Sequence, residues 1–468
     1  MVFSSLPFIF VFLPLFFLIY ALLPEKAKNA ALLLGSLAFY AYGAWETPLY
    51  ILLLPVTFLV NWAVGLRLAP GKPHRRLWLV LGLVYDFAWL LLFKYAGFFW
   101  DNVSLLAGLF THHTTVRTWN LILPIGISFY TFQIASYLID TYRQVVPPER
   151  SLIRLGAYLC MFPQLIAGPI VQYNTVAHQL RSRTTSMARV DRGLRLFTLG
   201  LGFKVLLANN VGALWSDIAA VGFESISTPL AWMGAAAYSF QIYFDFYGYS
   251  LMAMGLGQVM GFDLPENFRD PYLSLSMTEF WRRWHITLGS WFREYVYIPL
   301  GGNRRGEGTT VRNLLIVWLL TGFWHGASWN FILWGLLLFL LLFIERKGLR
   351  RALERKPFLG HLYMFFTIPL SWMLFAITDF HQLGIYFSRL FPVTGRFFGL
   401  MAGDWIEQGK SFGVMLLVCL LFCTPYPKKI WKKIERTPLA AVLLLAVFWG
   451  AVYCLYRGLN DPFLYFRF

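Results

Sequence analysis

The sequence predicts an all-α membrane protein, a bundle of helices that crosses the bilayer many times. Of its 468 residues 58% are hydrophobic and only 13% are charged, whereas about 25% charged residues is usual in soluble domains. Apolar runs near or above the roughly 18 residues that span a bilayer recur along the whole chain. A transmembrane barrel would instead show alternating strands of about 10 residues. We therefore expect one integral-membrane domain over residues 1–468.

The apolar runs and the basic loops between them predict about 11 to 13 spans, besides interfacial pieces. The net charge of +17 comes from Lys and Arg in short loops, which the positive-inside rule places in the cytoplasm. Basic and basic-poor loops alternate consistently if both termini face outside. Anionic lipid headgroups account for this charge, so we expect membrane lipids and no nucleic acid as partners. The runs lie near 6–23, 29–45, 48–66, 77–96, 121–141, 193–214, 229–260, 311–325, 328–344, 360–378, 411–427 and 437–456.

Two segments depart from this alternation. Basic loops flank residues 152–170 on both sides, and Pro163, Gly168 and Pro169 interrupt regular helix there. We expect a re-entrant or interfacial element, because irregular backbone survives at membrane depth only when protein or a water-filled cavity covers it. The long outside segment 379–410 is rich in aromatic residues. It is a candidate for lying on the membrane surface and contacting a partner.

A single histidine, His325, lies in "LLTGFWHGASWNFILWG", a stretch without Asp, Glu, Lys or Arg. Because the basic loops on both sides are predicted to be cytoplasmic, two helices must enter the membrane and return to the cytoplasmic side between them. The first, about 311–324, would rise only ~20 Å against a hydrocarbon core of ~30 Å. Gly322, Gly326 and Ser328 then provide a compact turn with His325 at its tip, inside the membrane. Such a histidine is a functional candidate; the alternative is a ring bonded to a backbone carbonyl in helix packing.

The stretch "TEFWRRWHITLGSWFREYVYIPLGG" predicts an amphipathic helix at the cytoplasmic interface or dipping into the bundle. Its aromatic residues recur at helical spacing, and Arg282, Arg283 and Arg293 exclude a span. Interfacial anchoring by aromatic and arginine side chains would account for the pattern. His285 lies among them, however, and arginines beside a cavity suit anionic phosphates.

A third stretch, "YSFQIYFDFYGYS", places the carboxylate of Asp245 in a long apolar run. Asp245 could orient an imidazole, pair with an arginine, or form a purely structural ion pair. The sequence contains no G-x-S-x-G elbow, no phosphate loop and no His/Cys metal spacing. We expect no metal, no tightly bound cofactor and no ATP-driven transport. Imidazole chemistry remains, which fits direct acyl transfer with a histidine as general base.

These motifs together resemble the membrane-bound O-acyltransferase superfamily, and more narrowly its bacterial alginate O-acetyltransferase subfamily. The resemblance rests on "EFWRRWHITLGSWFREYVYIPLGG" and "WLLTGFWHGASWNFILWG". It extends to "GISFYTFQIASYLIDTYR", "FPQLIAGPIVQY", "PENFRDPYL" and the C-terminal "FLYFRF", and so covers nearly the whole chain. One departure is "FDFYGYSLMA", where Tyr247 and Leu251 replace the Ser and Asp of the family pattern. The missing acid at 251 argues against a universal catalytic role there and is compatible with a different acceptor or partner.

The resemblance implies a fold, a reaction and a set of site residues. It makes His325 the catalytic histidine and His285 a second functional one, where a cytoplasmic and an extracellular funnel meet. Trp324, Asn330 and Asp245 are expected to support them. Arg282, Arg283 and Arg293 are expected to attract the phosphates of a cytoplasmic thioester, acetyl-CoA or an acyl carrier protein. The oxyanion would be stabilised by His285 or by Trp N–H groups.

The implied product is an acetylated cell-surface or secreted polysaccharide, alginate or a similar glycan. An extracytoplasmic or membrane-anchored acetyltransferase would accept the acetyl group, and the protein would lie in the bacterial cytoplasmic membrane. Three alternatives remain: D-alanyl or other acyl transfer from a carrier protein to a cell-wall polymer, a polysaccharide flippase, and a scaffold for a soluble acetyltransferase.

Overall fold

Helices form nearly all of the regular structure in the computed structural model, which describes residues 2–111, 121–392, 403–458 and Leu464. Within these ranges there is no β-strand. Six helices of the described ranges are long and apolar enough to cross a membrane. The protein is therefore an all-α, polytopic membrane protein, as the sequence predicts, while the number of 11 to 13 spans stays a prediction. The six helices are Pro48–Arg67, Arg75–Gly108, Met187–Val221, Pro357–Ala376, Asp404–Phe422 and Pro438–Tyr456.

The chain divides into two compact units. The first contains Met1–Leu194 and Ala253–Pro265, and the second contains Arg195–Met252 and Glu266–Phe468. In the first unit α2 packs on α7, α4 packs on α7, and α5 packs on α6. A π-helical turn at Phe8–Phe12 precedes α1. The helices are α1 (Leu13–Leu22), α2 (Glu25–Gly43), α3 (Pro48–Ile51), α4 (Leu53–Arg67), α5 (Arg75–Thr111), α6 (Ile127–Tyr142), α7 (Leu152–Cys160), α8 (Phe162–Leu165) and α9 (Tyr173–Arg181).

The second unit carries both candidate histidines. Its best-packed pair is the hairpin α15–α16, against which α18 and α13 also pack. Two helices contribute residues to both units, α10 (Met187–Gly202) and α12 (Thr228–Val259). The others are α11 (Asn209–Val221), α13 (Met277–Arg283), α14 (Ile286–Phe292), α15 (Glu307–His325), α16 (Trp329–Ile344), α17 (Arg350–Arg355), α18 (Pro357–Ala376), α19 (Phe380–Leu390), α20 (Asp404–Phe422), α21 (Tyr426–Ile434) and α22 (Pro438–Tyr456).

The irregular segment 152–170 has the broken form that its prolines predict. The nine residues of α7 and the four of α8 are separated at Met161, and non-helical backbone follows α8. The side chains from Leu155 through Val171 are buried. Protein therefore covers this backbone, as an irregular element inside a membrane protein requires. Its depth in the bilayer stays a prediction.

The outside segment 379–410 is only partly within the described residues, because 393–402 fall outside them. Its first part forms α19, which is tied to the start of α12. Tyr386 Oη donates to the Ala231 carbonyl at 2.6 Å, and Thr228 Oγ1 donates to the Arg389 carbonyl at 2.7 Å. The membrane-surface position of this segment and its partner contact stay predictions.

Candidate active site

The hairpin of α15 and α16 depends on glycines that let the two helices approach closely. A methyl group on Gly322 would lie 2.2 Å from the Phe331 carbonyl oxygen, and one on Gly335 would lie 2.4 Å from the Trp318 carbonyl oxygen. Any larger side chain would push the helices apart. The turn is observed at Gly326–Ser328, directly after His325, the last residue of α15. Gly322, which the sequence also placed in the turn, lies inside α15.

One part of the hairpin prediction is wrong. The helix α15 begins at Glu307 rather than 311, and its 19 residues rise about 28 Å. It is therefore nearly as long as the ~30 Å hydrocarbon core, because residues 307–310, which precede the apolar run, continue the helix. A helix of this length does not by itself place His325 in mid-membrane. His325 nevertheless lies at the buried end of α15, with Thr321, Gly322 and Trp324.

His325 is buried in an aromatic cage. Its ring meets the Trp334 indole at 5.1 Å between centroids and the Phe375 ring at 5.3 Å, both nearly perpendicular. Asn330, predicted as a supporting residue, fixes one wall of this cage. Its Nδ2 donates to the Leu374 carbonyl at 3.2 Å and to the Phe375 carbonyl at 3.1 Å, at the end of α18. Asn330 thus holds the end of α18, and with it the Phe375 ring that contacts His325.

His285 lies between two short helices, where the helical conformation is interrupted. The sequence predicts one amphipathic helix here, and this is wrong: α13 ends at Arg283 and α14 starts at Ile286. Between them His285 has φ 45°, in the left-handed region that non-glycine residues seldom adopt. Hydrogen bonds to a distant loop hold the break, since Ile286 N–H donates to the Asn267 carbonyl at 3.0 Å. Strain of this kind persists only where the surroundings fix it.

The side chain of Asn267 sets the tautomer of His285. His285 Nδ1 lies 3.1 Å from Asn267 Oδ1, which also accepts from Thr287 N–H at 3.2 Å and from Thr287 Oγ1 at 2.9 Å. An amide oxygen only accepts, so Nδ1 carries the proton and the lone pair of the neutral ring is at Nε2. His285 lies outside the six candidate spans, and burial lowers its pKa to about 3. The imidazole is neutral at physiological pH.

The two histidines meet at one indole. The Trp324 ring lies 6.0 Å from the His285 ring and 4.9 Å from the His325 ring, between centroids. All three side chains are at most 4% exposed. The structure thus brings together three of the residues that the sequence singled out, His285, Trp324 and His325, in one buried site.

Further tryptophans enclose this site. We define the tryptophan cluster as Trp281, Trp284, Trp318, Trp334 and Trp372, whose rings contact one another at centroid distances between 5.0 Å (Trp281 to Trp318) and 6.3 Å (Trp281 to Trp372). The buried Nε1–H groups of Trp281 and Trp334 have no hydrogen-bond acceptor among the described residues. A buried donor without an acceptor is costly in a protein interior. These two N–H groups are therefore available to a substrate oxygen.

Asp245 forms a buried ion pair. Its Oδ1 lies 2.6 Å from Lys204 Nζ, and its Oδ2 accepts from the Leu464 N–H at 2.8 Å. Both charged side chains are almost completely buried. Of the roles that the sequence left open, an ion pair is the one observed, with a lysine rather than an arginine. The observed acceptor for His285 Nδ1 is Asn267.

The three arginines predicted to bind phosphate have different surroundings. Arg283 pairs with Glu279 at 2.6 Å, and the exposed Arg293 pairs with its neighbour Glu294 at 3.2 Å. Arg282 lines a cavity of about 460 Å³ in the second unit, which we call the basic cavity. Its lining residues are Thr278, Arg282, Tyr297, Asn303, Leu314, Leu342, Glu345, Arg346, Lys347, Gly348, Arg350 and Arg351.

Four cations of the basic cavity were missed as site residues, namely Arg346, Lys347, Arg350 and Arg351. The sequence shows them as a basic loop, which the positive-inside rule already explains. The buried Glu345 joins this loop to α13 by accepting from Met277 N–H at 2.6 Å and from Thr278 N–H at 2.8 Å. A carboxylate at a helix N-terminus is stabilising. It places Arg282 of α13 beside the loop.

The chain matches a family profile and several known proteins. A profile of the membrane-bound O-acyltransferase family matches residues 147–357. The chain is 36% identical to a Pseudomonas putida protein named "Probable alginate O-acetylase AlgI", over 100% of both chains. It is 39% identical to the "Peptidoglycan O-acetyltransferase" of Helicobacter pylori, over 100% of this chain and 98% of the relative. The "Teichoic acid D-alanyltransferase" of Bacillus subtilis is 28% identical over 46% of this chain and 57% of the relative.

The profile match contains both histidines, Asn267 and the loop of the basic cavity. Two relatives that match along the whole chain carry names that describe O-acetyl transfer. The sequence-based resemblance is thereby confirmed. The chain belongs to the membrane-bound O-acyltransferase family and is an O-acyltransferase.

Proposed function

We propose that this multi-pass membrane O-acyltransferase takes an acetyl group from a cytoplasmic thioester and delivers it across the membrane for O-acetylation of a polysaccharide. The observation that carries the proposal is the meeting of His285 and His325 at Trp324 in a buried aromatic site. A dry site strengthens every electrostatic interaction with the developing charge. Alginate-like glycans and peptidoglycan are the acceptor classes favoured by the names of the relatives.

In the proposed step, neutral His325 acts as general base on the acceptor hydroxyl. The imidazole takes the proton while the hydroxyl oxygen bonds to the thioester carbon. The tetrahedral intermediate then collapses, the C–S bond breaks, and the thiolate takes the proton from the imidazolium. General-base assistance contributes about 10²–10⁴ in rate. The single proton of the reacting hydroxyl goes to His325. His285 carries a lone pair at Nε2 and accepts a hydrogen bond from a second hydroxyl of the acceptor, which orients the reacting one.

The oxyanion of the intermediate needs a hydrogen-bond donor. Neutral His285 cannot supply one at Nε2, because its proton is on Nδ1 and is directed to Asn267. The Nε1–H of Trp334 is a better candidate, because this indole contacts the His325 ring and its N–H has no acceptor among the described residues. One such donor is worth about 10²–10³ in kcat. We assign the oxyanion contact to Trp334.

The donor enters from the cytoplasmic side, and its phosphates bind in the basic cavity. Arg282, Arg346 and Arg351 line it without an ion-pair partner in the described part of the chain. Lys347 and Arg350 add charge, although each has a carboxylate neighbour, Glu307 at 2.7 Å and Glu354 at 3.4 Å. Guanidinium groups match phosphate oxygens in charge and geometry. Acetyl-CoA fits this chemistry, and so does the phosphopantetheine of an acyl carrier protein.

The acceptor hydroxyl in this proposal belongs to an extracytoplasmic or membrane-anchored acetyltransferase, which carries the acetyl ester on to the glycan. This protein lies in the bacterial cytoplasmic membrane. The second candidate function is D-alanyl transfer from a carrier protein, which the teichoic acid D-alanyltransferase relative favours. Its match covers less than half of this chain, whereas the O-acetyl relatives match all of it. We therefore place acetyl transfer first.

Donor consumption tests the proposal. Purified protein in nanodiscs is incubated with acetyl-CoA radiolabelled in the acetyl group, and release of free CoA and transfer of label are followed. We expect CoA release that depends on the protein and rises when a glycan or a partner protein supplies the acceptor. D-Alanyl-loaded carrier protein in a parallel incubation distinguishes the second candidate. Consumption of neither thioester would favour a flippase or a scaffold and contradict the proposal.

A further inference from the structure

The first unit contains a second cavity with basic walls, of about 310 Å³. Its four cations come from three places: Lys26 in the first turn of α2, Arg154 in the first turn of α7, and Arg181 and Arg183 at the end of α9. The one carboxylate on its walls is Glu25, which pairs with Lys28 at 2.5 Å. The cavity is therefore strongly positive. None of the acyl-transfer residues proposed above belongs to it.

Arg183 is a buried cation without a counter-ion in the described part of the chain. It is 9% exposed. Its Nε donates to Tyr20 Oη at 2.8 Å, and its Nη1 donates to Asn29 Oδ1 at 2.7 Å and to the Gln179 carbonyl at 3.1 Å. Its Nη2 is buried and has no acceptor among the described residues. Buried charges in proteins are normally paired, so Arg183 is prepared for an anion.

Arg154, on another wall, has a counter-ion but also has a guanidinium N–H without an acceptor in the described part of the chain. Its Nη2 pairs with Glu149 at 2.6 Å, while its buried Nε has no acceptor among the described residues. Glu149 is already used, since it also accepts from Tyr173 Oη at 2.6 Å and from Ser151 N–H at 2.7 Å. Burial by itself raises the pKa of Glu149, but the hydrogen bonds from Arg154, Tyr173 and Ser151 outweigh burial and lower it. This carboxylate is ionised and is used by Arg154. The guanidinium of Arg183 lies over the rings of Tyr20 and Phe262, at 5.8 Å and 4.6 Å from their centroids, and has no carboxylate partner in the described part of the chain.

A phosphate group matches what the cavity lacks. It offers several acceptor oxygens and a negative charge to two guanidinium groups. The N-terminal turns of α2 and α7 add positive helix-dipole ends. Arg154 and Arg181 belong to basic stretches that the positive-inside rule predicts on the cytoplasmic side, where anionic headgroups attract cations. We propose that this cavity binds the phosphate group of a phosphate ester, supplied by an anionic phospholipid or by a soluble ester.

Thermal unfolding of the purified full-length protein in detergent tests the site. The probes are phosphatidylglycerol, phosphatidylcholine with the same chains, and sn-glycerol 3-phosphate. We expect phosphatidylglycerol to raise the midpoint more than phosphatidylcholine does. A rise with phosphatidylglycerol alone assigns a lipid, a rise with glycerol phosphate alone assigns a soluble ester, and a rise with both assigns the phosphate group itself. No rise with either anionic probe would overturn the proposal.

Two double variants separate a site from general charge. Lys26→Gln/Arg181→Gln removes two exposed cations of the cavity and is expected to fold, since neither side chain is buried. The apparent affinity of this variant for the anionic probe that stabilises the wild type should fall on the order of tenfold or more. The control Lys432→Gln/Lys433→Gln removes two exposed cations of α21 and should keep the full response. Equal losses in both variants would overturn the proposal. Arg183→Gln should lose most, and the Lys26/Arg181 variant decides the outcome if Arg183→Gln does not fold.

Discussion

Replacing Asn267 with leucine removes the acceptor that holds the His285 ring and keeps a side chain of similar size. Three hydrogen bonds end at Asn267 Oδ1, one from His285 and two from Thr287. Each is worth about 1 kcal/mol net, and a buried donor left unsatisfied costs about 1–3 kcal/mol. We expect a loss of about 3–5 kcal/mol in the free energy of unfolding. We also expect kcat to fall at least 10²-fold, because the ring can then turn or change tautomer.

The matched variant Asn267→Asp keeps an acceptor at the same place. A carboxylate beside an imidazole raises its pKa. In the wild type the lowered pKa of His285, about 3, keeps the ring neutral above pH 5, so its protonation contributes no acid limb there. In Asn267→Asp the pKa moves upward, and kcat should decline as the pH falls through a value higher than in the wild type.

The assay is CoA release from acetyl-CoA by purified variants, with kcat and KM determined separately between pH 5 and 8. The unfolding midpoint is measured on the same samples. A positioning role predicts that Asn267→Leu lowers kcat with little change in KM, and that Asn267→Asp restores much of kcat at high pH. If both variants fold and keep the wild-type kcat and pH profile, the assignment of Asn267 is refuted.

Three further predictions use other parts of the second unit. Trp334→Phe keeps the ring against His325 and removes the N–H, so kcat should fall about 10²–10³-fold with KM unchanged; an unchanged kcat removes Trp334 from the oxyanion role. Gly335→Ala should lower the free energy of unfolding by about 1–3 kcal/mol, since its methyl group meets the Trp318 carbonyl. The control Gly413→Ala has open space and should be neutral or slightly stabilising; equal effects would contradict the close approach. Arg346→Gln/Arg351→Gln should raise the KM for acetyl-CoA about tenfold or more with little change in kcat, while Arg293→Gln, exposed and paired with Glu294, should change it little. A larger rise in KM for Arg293→Gln than for Arg346→Gln/Arg351→Gln would contradict phosphate binding in the basic cavity.

Local patterns in the sequence predict the hairpin of α15 and α16 well. Apolar runs between basic loops define its two helices, and Gly326–Ser328 marks the turn. The start of α15 at Glu307 could not be read from hydrophobicity, because the polar residues before 311 continue the helix without extending the apolar run. The ends of a helix are determined by backbone hydrogen bonding, whereas the ends of an apolar run reflect which side chains avoid water.

The environment of His285 could not be predicted from the amphipathic pattern around it. Helical spacing of aromatic residues favours one continuous helix over 278–302, and the break depends on hydrogen bonds to Asn267 in a separate loop. The motif "PENFRDPYL" marks that loop in the sequence, but it does not reveal that Asn267 contacts the His285 ring. The basic cavity is similar, since its cations belong to a visible basic loop while Arg282 and Tyr297 come from other elements. Such sites depend on contacts between segments that are distant in sequence.

The central claim is that His325 is the base of acyl transfer, and the rate of the chemical step tests it most directly. Wild-type protein and His325→Gln are first shown to have the same unfolding midpoint. Each protein is then mixed, in excess over radiolabelled acetyl-CoA, with an acceptor, and a single turnover is followed. We expect His325→Gln to slow acetyl loss from CoA by at least 10²-fold while its affinity for acetyl-CoA stays unchanged. A folded His325→Gln that turns over at the wild-type rate would contradict the account.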